Sequence, residues 1–219
     1  MTESQTMLPH FPATACRVAV VDSGVDPESP FVGNILGGVE ILRDGSQSDN
    51  YMDLMGHGTA VASAIHEKAP LAGILVVKIF HRGHTAAIDQ YVAAIEWALD
   101  NCADVINIST GSTNPRHRGR LEPSIQRAVR AGSRIVSARL ASGLPSFPGC
   151  MAGVVAVEAD PQVPRDQVRF DDDIAIASPY PRPIPDLPPE RSLSSVSFAV
   201  ANVSGYLCAQ LTSQAAANL

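Results

Sequence analysis

Three polar residues in this sequence have the side-chain types that acyl transfer requires. Asp22 follows a short apolar run, His57 lies between two glycines, and Ser197 lies among small hydroxyl residues that open a long apolar stretch. A hydroxyl nucleophile needs a base within hydrogen-bonding distance, and the base needs a carboxylate that fixes its tautomer. If the fold brings these three side chains together, they predict nucleophilic attack on a carbonyl group.

Each of the three residues also has a structural interpretation. Asp22 begins an Asp-Ser-Gly sequence that is typical of a turn, and His57 can simply start a helix. Ser197 can cap a buried helix, because serine is a preferred residue at that position. A helix N-terminus also offers unpaired N–H groups and a positive dipole end, which can hold a developing oxyanion. The individual residues therefore leave both interpretations open.

Apolar segments of two kinds alternate along the chain and must position these residues. Short runs rich in β-branched residues predict strands at residues 16–21, 38–42, 74–80, 104–109, 134–138, 153–157 and 173–177. Helices are predicted at residues 60–65, 86–102 and 121–131, and a helix buried all round is predicted after Ser197. This alternation predicts an α/β fold with a mostly parallel sheet of about six to seven strands and helices on both faces. Functional residues then gather at the carboxyl ends of strands, where Asp22 and Ser109 fall.

Composition limits the class of protein further. The 219 residues are 45% hydrophobic, which predicts a single domain at residues 16–219 after a short N-terminal extension at residues 1–15. A net charge of −6 without a basic patch argues against nucleic acid as a partner. No apolar run is long enough for a membrane span, and residues 1–15 do not resemble a secretory signal. The four scattered cysteines form no Cys-x-x-Cys pair, so we expect a cytoplasmic protein without metal or cofactor.

One proline-rich segment interrupts the alternation. Eight prolines lie between residues 161 and 189, and six of them fall within residues 178–189. Such a stretch favours the extended polyproline conformation and cannot pair as a central strand. It predicts a stiff surface loop, and the alternative is a docking segment, at residues 179–189, for a partner protein with an aromatic-lined groove.

The sequences around the three polar residues resemble the motifs of the subtilisin-like serine peptidases, or subtilases. Residues 18–26, Val-Ala-Val-Val-Asp-Ser-Gly-Val-Asp, are similar to the aspartate motif of that family. Residues 56–62, Gly-His-Gly-Thr-Ala-Val-Ala, resemble its histidine motif, in which a second histidine usually stands at the position of Ala60. Residues 195–205 match its Gly-Thr-Ser-Met-Ala serine motif in position and frame more than in residue type. The order Asp, His, Ser is also the subtilisin order, and the resemblance extends over about residues 17–211.

The resemblance implies a three-layer subtilisin-like fold and a serine endopeptidase. Ser197 would attack a peptide carbonyl, His57 would take and return the proton, and Asp22 would hold the imidazole. An extended substrate would pair, as an added strand, with Ser109, Thr110 and Gly111. The expected substrate is a peptide or a specific protein, for example a biosynthetic precursor that loses its leader.

Departures from the family pattern qualify these expectations. In this frame Ala141 stands where the family has its oxyanion asparagine, and Ser142 or Arg139 would have to replace it as a donor. Loss of such a donor costs about 100- to 1000-fold in turnover, a magnitude known from subtilisin itself. The alternative function is therefore a pseudopeptidase that binds an extended peptide in the same groove without cutting it. Because residues 67–73 are too few for the calcium loop of the family, and about fifteen residues precede the first strand, we expect folding without calcium or a pro-domain.

Overall fold

The strands and helices follow the alternation that the sequence predicts. The structure is a computed structural model that describes residues 15–183 and 193–217. Within these residues the elements are, in chain order, β1 (Arg17–Asp22), β2 (Ile35–Ile41), β3 (Gln47–Ser48), α1 (His57–Lys68), β4 (Gly73–Lys78), α2 (Ile88–Asp100), β5 (Val105–Ile108), α3 (Arg118–Ala131), β6 (Arg134–Ala138), β7 (Leu140–Ala141), β8 (Leu144–Pro145), β9 (Val154–Ala159), β10 (Val168–Asp171), β11 (Ile174–Ala177) and α4 (Val196–Ala217).

A twisted sheet forms the middle layer, with the strand order β10-β11-β9-β6-β5-β1-β4-β2-β3. The seven strands from β11 to β2 are all parallel, and the two edge strands pair antiparallel with their neighbours. The prediction of a mostly parallel sheet is confirmed, but six to seven strands was too low a count for a sheet of nine. The sequence missed β3 and β10 because β3 has two residues and β10 is largely exposed, so neither carries a buried apolar run.

Helices cover both faces of the sheet, as a buried parallel sheet requires. Along β1, Val18 and Val20 pack in the core on the side of α1 and α4, whereas Ala19 and Val21 pack on the side of α2 and α3. Alternate residues of a strand point to opposite faces, so β1 contributes to both cores. The predicted three-layer architecture is therefore confirmed.

Helix α4 passes through the interior on the first of these faces. From Ser197 to Gly205 every residue is buried, as the small and apolar residues in this stretch predict. Gly205 permits the close packing of α4 on α1, because a Cβ atom there would lie 3.0 Å from the carbonyl oxygen of Ile65. The two helices thus hold the residues at their N-termini at a fixed separation.

The proline-rich segment is only partly described. The side-chain amide of Asn202 donates to the carbonyl oxygens of Ser178, at 2.9 Å, and Tyr180, at 3.2 Å, and so holds this chain segment against α4. Residues 184–192 lie outside the described residues, and with them most of the predicted docking segment. Among the described helices, none is long and apolar enough to cross a membrane.

Candidate active site

The three residues singled out in the sequence lie at one edge of the sheet. Asp22 is the last residue of β1, which lies between β4 and β5 near the centre of the sheet. His57 is the first residue of α1, and Ser197 lies in the first turn of α4. His57 and Ser197 line the same cavity, which has a volume of about 340 Å³. The fold therefore brings an acid, a base and a hydroxyl to a common opening.

The carboxylate of Asp22 is fixed against the imidazole of His57. His57 Nδ1 lies 2.7 Å from Asp22 Oδ1, which also accepts the backbone N–H of Ser23 at 2.8 Å. An ionised carboxylate only accepts hydrogen bonds, so Nδ1 carries the hydrogen and Nε2 is the basic nitrogen. Gly58 is required for this approach, because a Cβ atom there would overlap the carbonyl oxygen of Gly24. The glycine after His57 thus lets α1 begin directly against the end of β1.

The surroundings of His57 raise its pKa. Burial alone lowers the pKa of this imidazole, but the hydrogen bond that it donates to Asp22 and the negative charges of Asp22 and Asp53 outweigh burial and bring the pKa above its ordinary value of 6.5. The base must be neutral to accept a proton, so catalysis that depends on His57 is expected to rise with pH through this raised pKa.

Asp53, which is not among the site residues predicted from the sequence, organises the turn before His57. Its Oδ1 accepts the N–H groups of Met55, at 2.8 Å, and Gly56, at 2.9 Å, and its Oδ2 accepts the N–H and hydroxyl of Thr59 at 2.9 and 2.7 Å. Oδ1 also accepts the hydroxyl of Ser23 at 2.9 Å. Partial burial raises the pKa of Asp53, but these hydrogen bonds lower it below its usual value. An aspartate that precedes a glycine by three residues is a signal for such a turn, and it could have indicated this role.

Replacing Asp53 by asparagine is expected to destabilise the protein by about 1 to 3 kcal/mol. The amide nitrogen would face the N–H and hydroxyl of Thr59, where two acceptor bonds are now made. Loss of the negative charge should also lower the pKa of His57. Urea unfolding and NMR titration of the imidazole measure the two effects. Asp49→Asn, at an exposed aspartate nearby, is the control, and equal stability of the two variants would contradict the assigned role.

The hydroxyl of Ser197 makes no hydrogen bond to the imidazole of His57 among the described residues. Ser197 Oγ donates to the carbonyl oxygen of Ser109 at 3.4 Å, and no hydrogen bond joins it to His57 within the described residues. A distance of 3.4 Å is long for an O–H···O bond, so the hydroxyl can leave this partner at small cost. Below it, Ser204 donates to Asn107 Oδ1 at 3.0 Å in a fully buried contact that ties α4 to β5. The backbone beside Ser197 is therefore fixed while its hydroxyl is weakly held.

The predicted substrate strand follows β5 at this same edge. Ser109 is buried, Thr110 lines the cavity, and Gly111 packs so closely on Phe147 that a Cβ atom would overlap its carbonyl oxygen. Ser112 and Phe147 form an isolated bridge with two backbone hydrogen bonds of 2.8 Å. In the described part of the chain, the backbone groups of Thr110 and Gly111 make no hydrogen bonds with each other or with a neighbouring strand. These groups therefore lack a strand partner among the described residues.

The segment where a replacement oxyanion donor was expected folds as a β-hairpin. Strands β7 and β8 pair antiparallel, and Ser142 and Gly143 form the turn between them with φ angles of 51° and 77°. Two consecutive positive φ angles are typical of a type I′ hairpin turn. Ser142 is exposed at the tip, the guanidinium of Arg139 pairs with Glu158, and neither residue lines the cavity of His57 and Ser197. The structure does not bring these two candidate donors to the triad residues.

His84 is a further residue at the cavity that the sequence did not indicate. Its ring meets the ring of His57 edge to face, with the centroids 4.8 Å apart, and it lines the same cavity. Its contact arises from the loop after β4, whose conformation no sequence pattern specifies. A larger cavity, of about 870 Å³, lies elsewhere against β9 and contains none of the triad residues. In residues 15–183 and 193–217, no cluster of three or more His, Cys, Asp or Glu side chains could hold a metal ion.

The sequence of this chain matches members of one known protein family. A model of the subtilase family matches residues 14–157. A thermostable alkaline protease of Halalkalibacterium halodurans is 33% identical over 154 residues, which are 65% of this chain and 41% of that protein. The chain therefore matches less than half of the length of this relative.

Two solved structures share the fold over most of the chain. The prenylagaramide maturation protease PagA superposes with a TM-score of 0.66 and 24% identity, over 94% of this chain and 82% of that one. A serine-to-alanine mutant of the protease domain of PatA gives a TM-score of 0.68 and 23% identity, over 93% of this chain and 81% of that one. At these identities the likeness is one of fold alone.

Proposed function

The chain belongs to the subtilase family, and we propose that it is a serine endopeptidase in which Asp22, His57 and Ser197 form the catalytic triad. The observation that carries this proposal is the 2.7 Å contact between His57 and the buried Asp22, next to a cavity that Ser197 also lines. This contact orients the imidazole and raises its pKa, which are the two things that a general base for a serine nucleophile needs.

The proposed reaction proceeds through an acyl-enzyme. The hydroxyl of Ser197 turns from the Ser109 carbonyl and attacks the peptide carbonyl carbon, while His57 Nε2 takes its proton. The tetrahedral intermediate collapses as the imidazolium gives that proton to the leaving amine, and the peptide C–N bond breaks. Water then attacks the ester, passes a proton to His57 and releases the acid, and the proton returns to Ser197. Asp22 stays ionised throughout and stabilises the imidazolium.

The proposed substrate is an extended peptide segment, and the proposed role is maturation of a specific precursor. Among the described residues the backbone groups of Thr110 and Gly111 have no partner strand, which supports strand addition, a mode that recognises main chain more than side chains. The likeness of fold to PagA, described as a maturation protease, supports the precursor role by analogy. A cytoplasmic location belongs to the same proposal and is compatible with the free thiols of Cys16 and Cys208 inside the core.

Cleavage mapping tests this role. The protein is incubated with precursor peptides of its source organism and, in parallel, with casein as an unstructured general substrate, and the products are read by mass spectrometry. We expect a single cut in one precursor and slow, scattered cleavage of casein. Rapid cleavage of casein with every precursor left intact would contradict the maturation role and leave a general peptidase.

A second candidate function is supported by the position of the Ser197 hydroxyl. Within the described residues this hydroxyl donates to the carbonyl oxygen of Ser109 and makes no hydrogen bond to His57, and no asparagine or glutamine lines the cavity. Both features suit a pseudopeptidase that holds an extended peptide without cutting it. If the protein is a pseudopeptidase, the native protein should bind an extended peptide, which calorimetry measures, and should hydrolyse neither peptides nor activated esters.

A further inference from the structure

The hydroxyl of Ser195 lies beside the nucleophile and is bonded to it twice. Ser195 Oγ is 3.2 Å from Ser197 Oγ, to which it donates, and it accepts the backbone N–H of Ser197, also at 3.2 Å. The backbone of Ser195 is fixed on both sides, since its N–H donates to the carbonyl of Pro179 at 3.0 Å and its C=O accepts from Phe198 at 3.1 Å. Its hydroxyl therefore lies next to the reacting atom on a rigid support.

The N–H of Ser197 is the backbone donor closest to a carbonyl under attack by Ser197 Oγ. When that carbonyl becomes tetrahedral its oxygen gains negative charge, and catalysis requires donors already directed at that oxygen. The group that accepts the Ser197 N–H in the free protein, Ser195 Oγ, therefore lies near the position of the oxyanion. A second donor is also needed, because one N–H alone leaves most of the new charge unstabilised.

The described side chains at the cavity offer few candidates for this second donor. The hydroxyl-bearing residues that line it, apart from Ser197, are Thr110, Ser194 and Ser195. The hydroxyl of Thr110 lies 3.3 Å from that of Tyr91, and Ser194 is exposed and has no hydrogen bond to Ser197. Of the three, Ser195 is the residue already in contact with both atoms of Ser197 that matter for the reaction.

We propose that Ser195 is a catalytic residue whose hydroxyl donates a hydrogen bond to the oxyanion. In the free protein this hydroxyl accepts a hydrogen bond from the Ser197 N–H and so occupies the place that the substrate oxygen takes later. When the substrate carbonyl enters, its oxygen takes over the N–H, and the Ser195 hydroxyl rotates to donate its own hydrogen to the same oxygen. No bond to Ser195 forms or breaks and its proton stays in place. The inference rests on the proposed peptidase function.

Ser195 is also a helix cap, and the test must separate this role from donation. Alanine removes both the cap and the donor, whereas glycine removes the donor but is tolerated at the cap position. Threonine keeps a hydroxyl with both capacities. Ser213→Ala, which removes an exposed hydroxyl near the other end of the same helix and away from the cavity, is the matched control. Circular dichroism and Tm show which variants are folded.

The readouts are the rate of inactivation by a fluorophosphonate and the kcat and KM for hydrolysis of p-nitrophenyl acetate. For Ser195→Gly and Ser195→Ala we expect kcat and the inactivation rate to fall about 100-fold with KM unchanged. Ser195→Thr should recover most of the activity, and Ser213→Ala should match the native protein. A merely structural cap would lower Tm in Ser195→Ala and leave kcat of Ser195→Gly unchanged.

Two results would overturn the inference in distinguishable ways. If Ser195→Gly reacts as fast as the native protein, Ser195 is only a helix cap, and if it reacts faster, the native hydroxyl blocks the oxyanion position. In both cases the hydroxyl is not a donor, and the peptidase function stands. If the folded native protein reacts with neither reagent, the proposed peptidase function fails, and the role of Ser195 fails with it.

Discussion

Replacing Ser197 by alanine is expected to abolish covalent labelling by a fluorophosphonate and to lower peptide turnover by about 10⁶-fold, the loss that removal of a triad serine causes in subtilisin. Ser197 lies in the first turn of α4 and lines the cavity with His57, so its hydroxyl is the nucleophile that this geometry offers. The fold should survive the change, because the hydrogen bonds that Ser197 Oγ makes to described residues are long, at 3.2 and 3.4 Å. Intact-mass spectrometry measures the adduct directly.

Ser213→Ala is the matched control for this experiment. Ser213 lies on the same helix but is exposed near its other end, where its hydroxyl donates to the carbonyl of Ala209 at 2.9 Å. The control should take up one adduct, as the native protein does. An adduct that persists in Ser197→Ala would show that another residue is the nucleophile. A native protein that is folded and monodisperse but takes up no adduct would favour the peptide-binding alternative.

Replacing Asp22 by asparagine is expected to lower kcat/KM by about 10⁴-fold. The change is nearly isosteric, but Asp22 is fully buried and its Oδ1 is bonded to both His57 Nδ1 and the N–H of Ser23. An asparagine oxygen at the position of Oδ1 would keep both bonds but lose the negative charge that stabilises the imidazolium. With the amide nitrogen at that position instead, the nitrogen donates to Nδ1, which then loses its hydrogen. Nε2 would carry the hydrogen instead and could no longer accept the proton of Ser197.

The same variant is expected to change the pH dependence. The hydrogen bond and charge of Asp22 raise the pKa of His57 against the opposing effect of burial, so their loss lowers it. Because the neutral imidazole is the active base, the acid limb of the residual kcat/KM profile should move to lower pH. NMR titration of the imidazole checks the direction independently of turnover.

The control for Asp22→Asn is the variant Asp26→Asn, which makes the same chemical change four residues further along the chain. The carboxylate of Asp26 accepts the N–H of Glu28 at 3.0 Å and has no hydrogen bond to His57. The activity and pH profile of the Asp26→Asn variant should equal those of the native protein. A residual rate of Asp22→Asn within tenfold of native would mean that the 2.7 Å contact does not control the imidazole, and the triad assignment would then be wrong.

The sequence by itself determined the layers of the fold and the set of residues that meet at its edge. Alternate small and β-branched residues such as Val18 and Ala19 pack on opposite faces of a parallel sheet, and this pattern is local. Parallel strands also end at one edge, so Asp22 and Ser109 could be assigned to the same side from the chain alone. Residue type and order then suggested a triad with His57 and Ser197.

Only the tertiary structure decided which of these groups are in contact. The contacts of Asp53 and His84, for example, depend on the conformations of loops, and loop sequences have no hydrophobic periodicity from which a conformation could be predicted. The turn at Ser142 shows the limit most clearly. Alignment with the family motif made Ser142 a candidate oxyanion donor. In the structure, however, Ser142 and Gly143 form a hairpin turn, and Ser142 is exposed at its tip. The hydroxyl that contacts the proposed nucleophile Ser197 is that of Ser195, which in the sequence looks like an ordinary helix cap. Its second role depends on the distance to Ser197 Oγ, which the packing of α4 against the sheet sets.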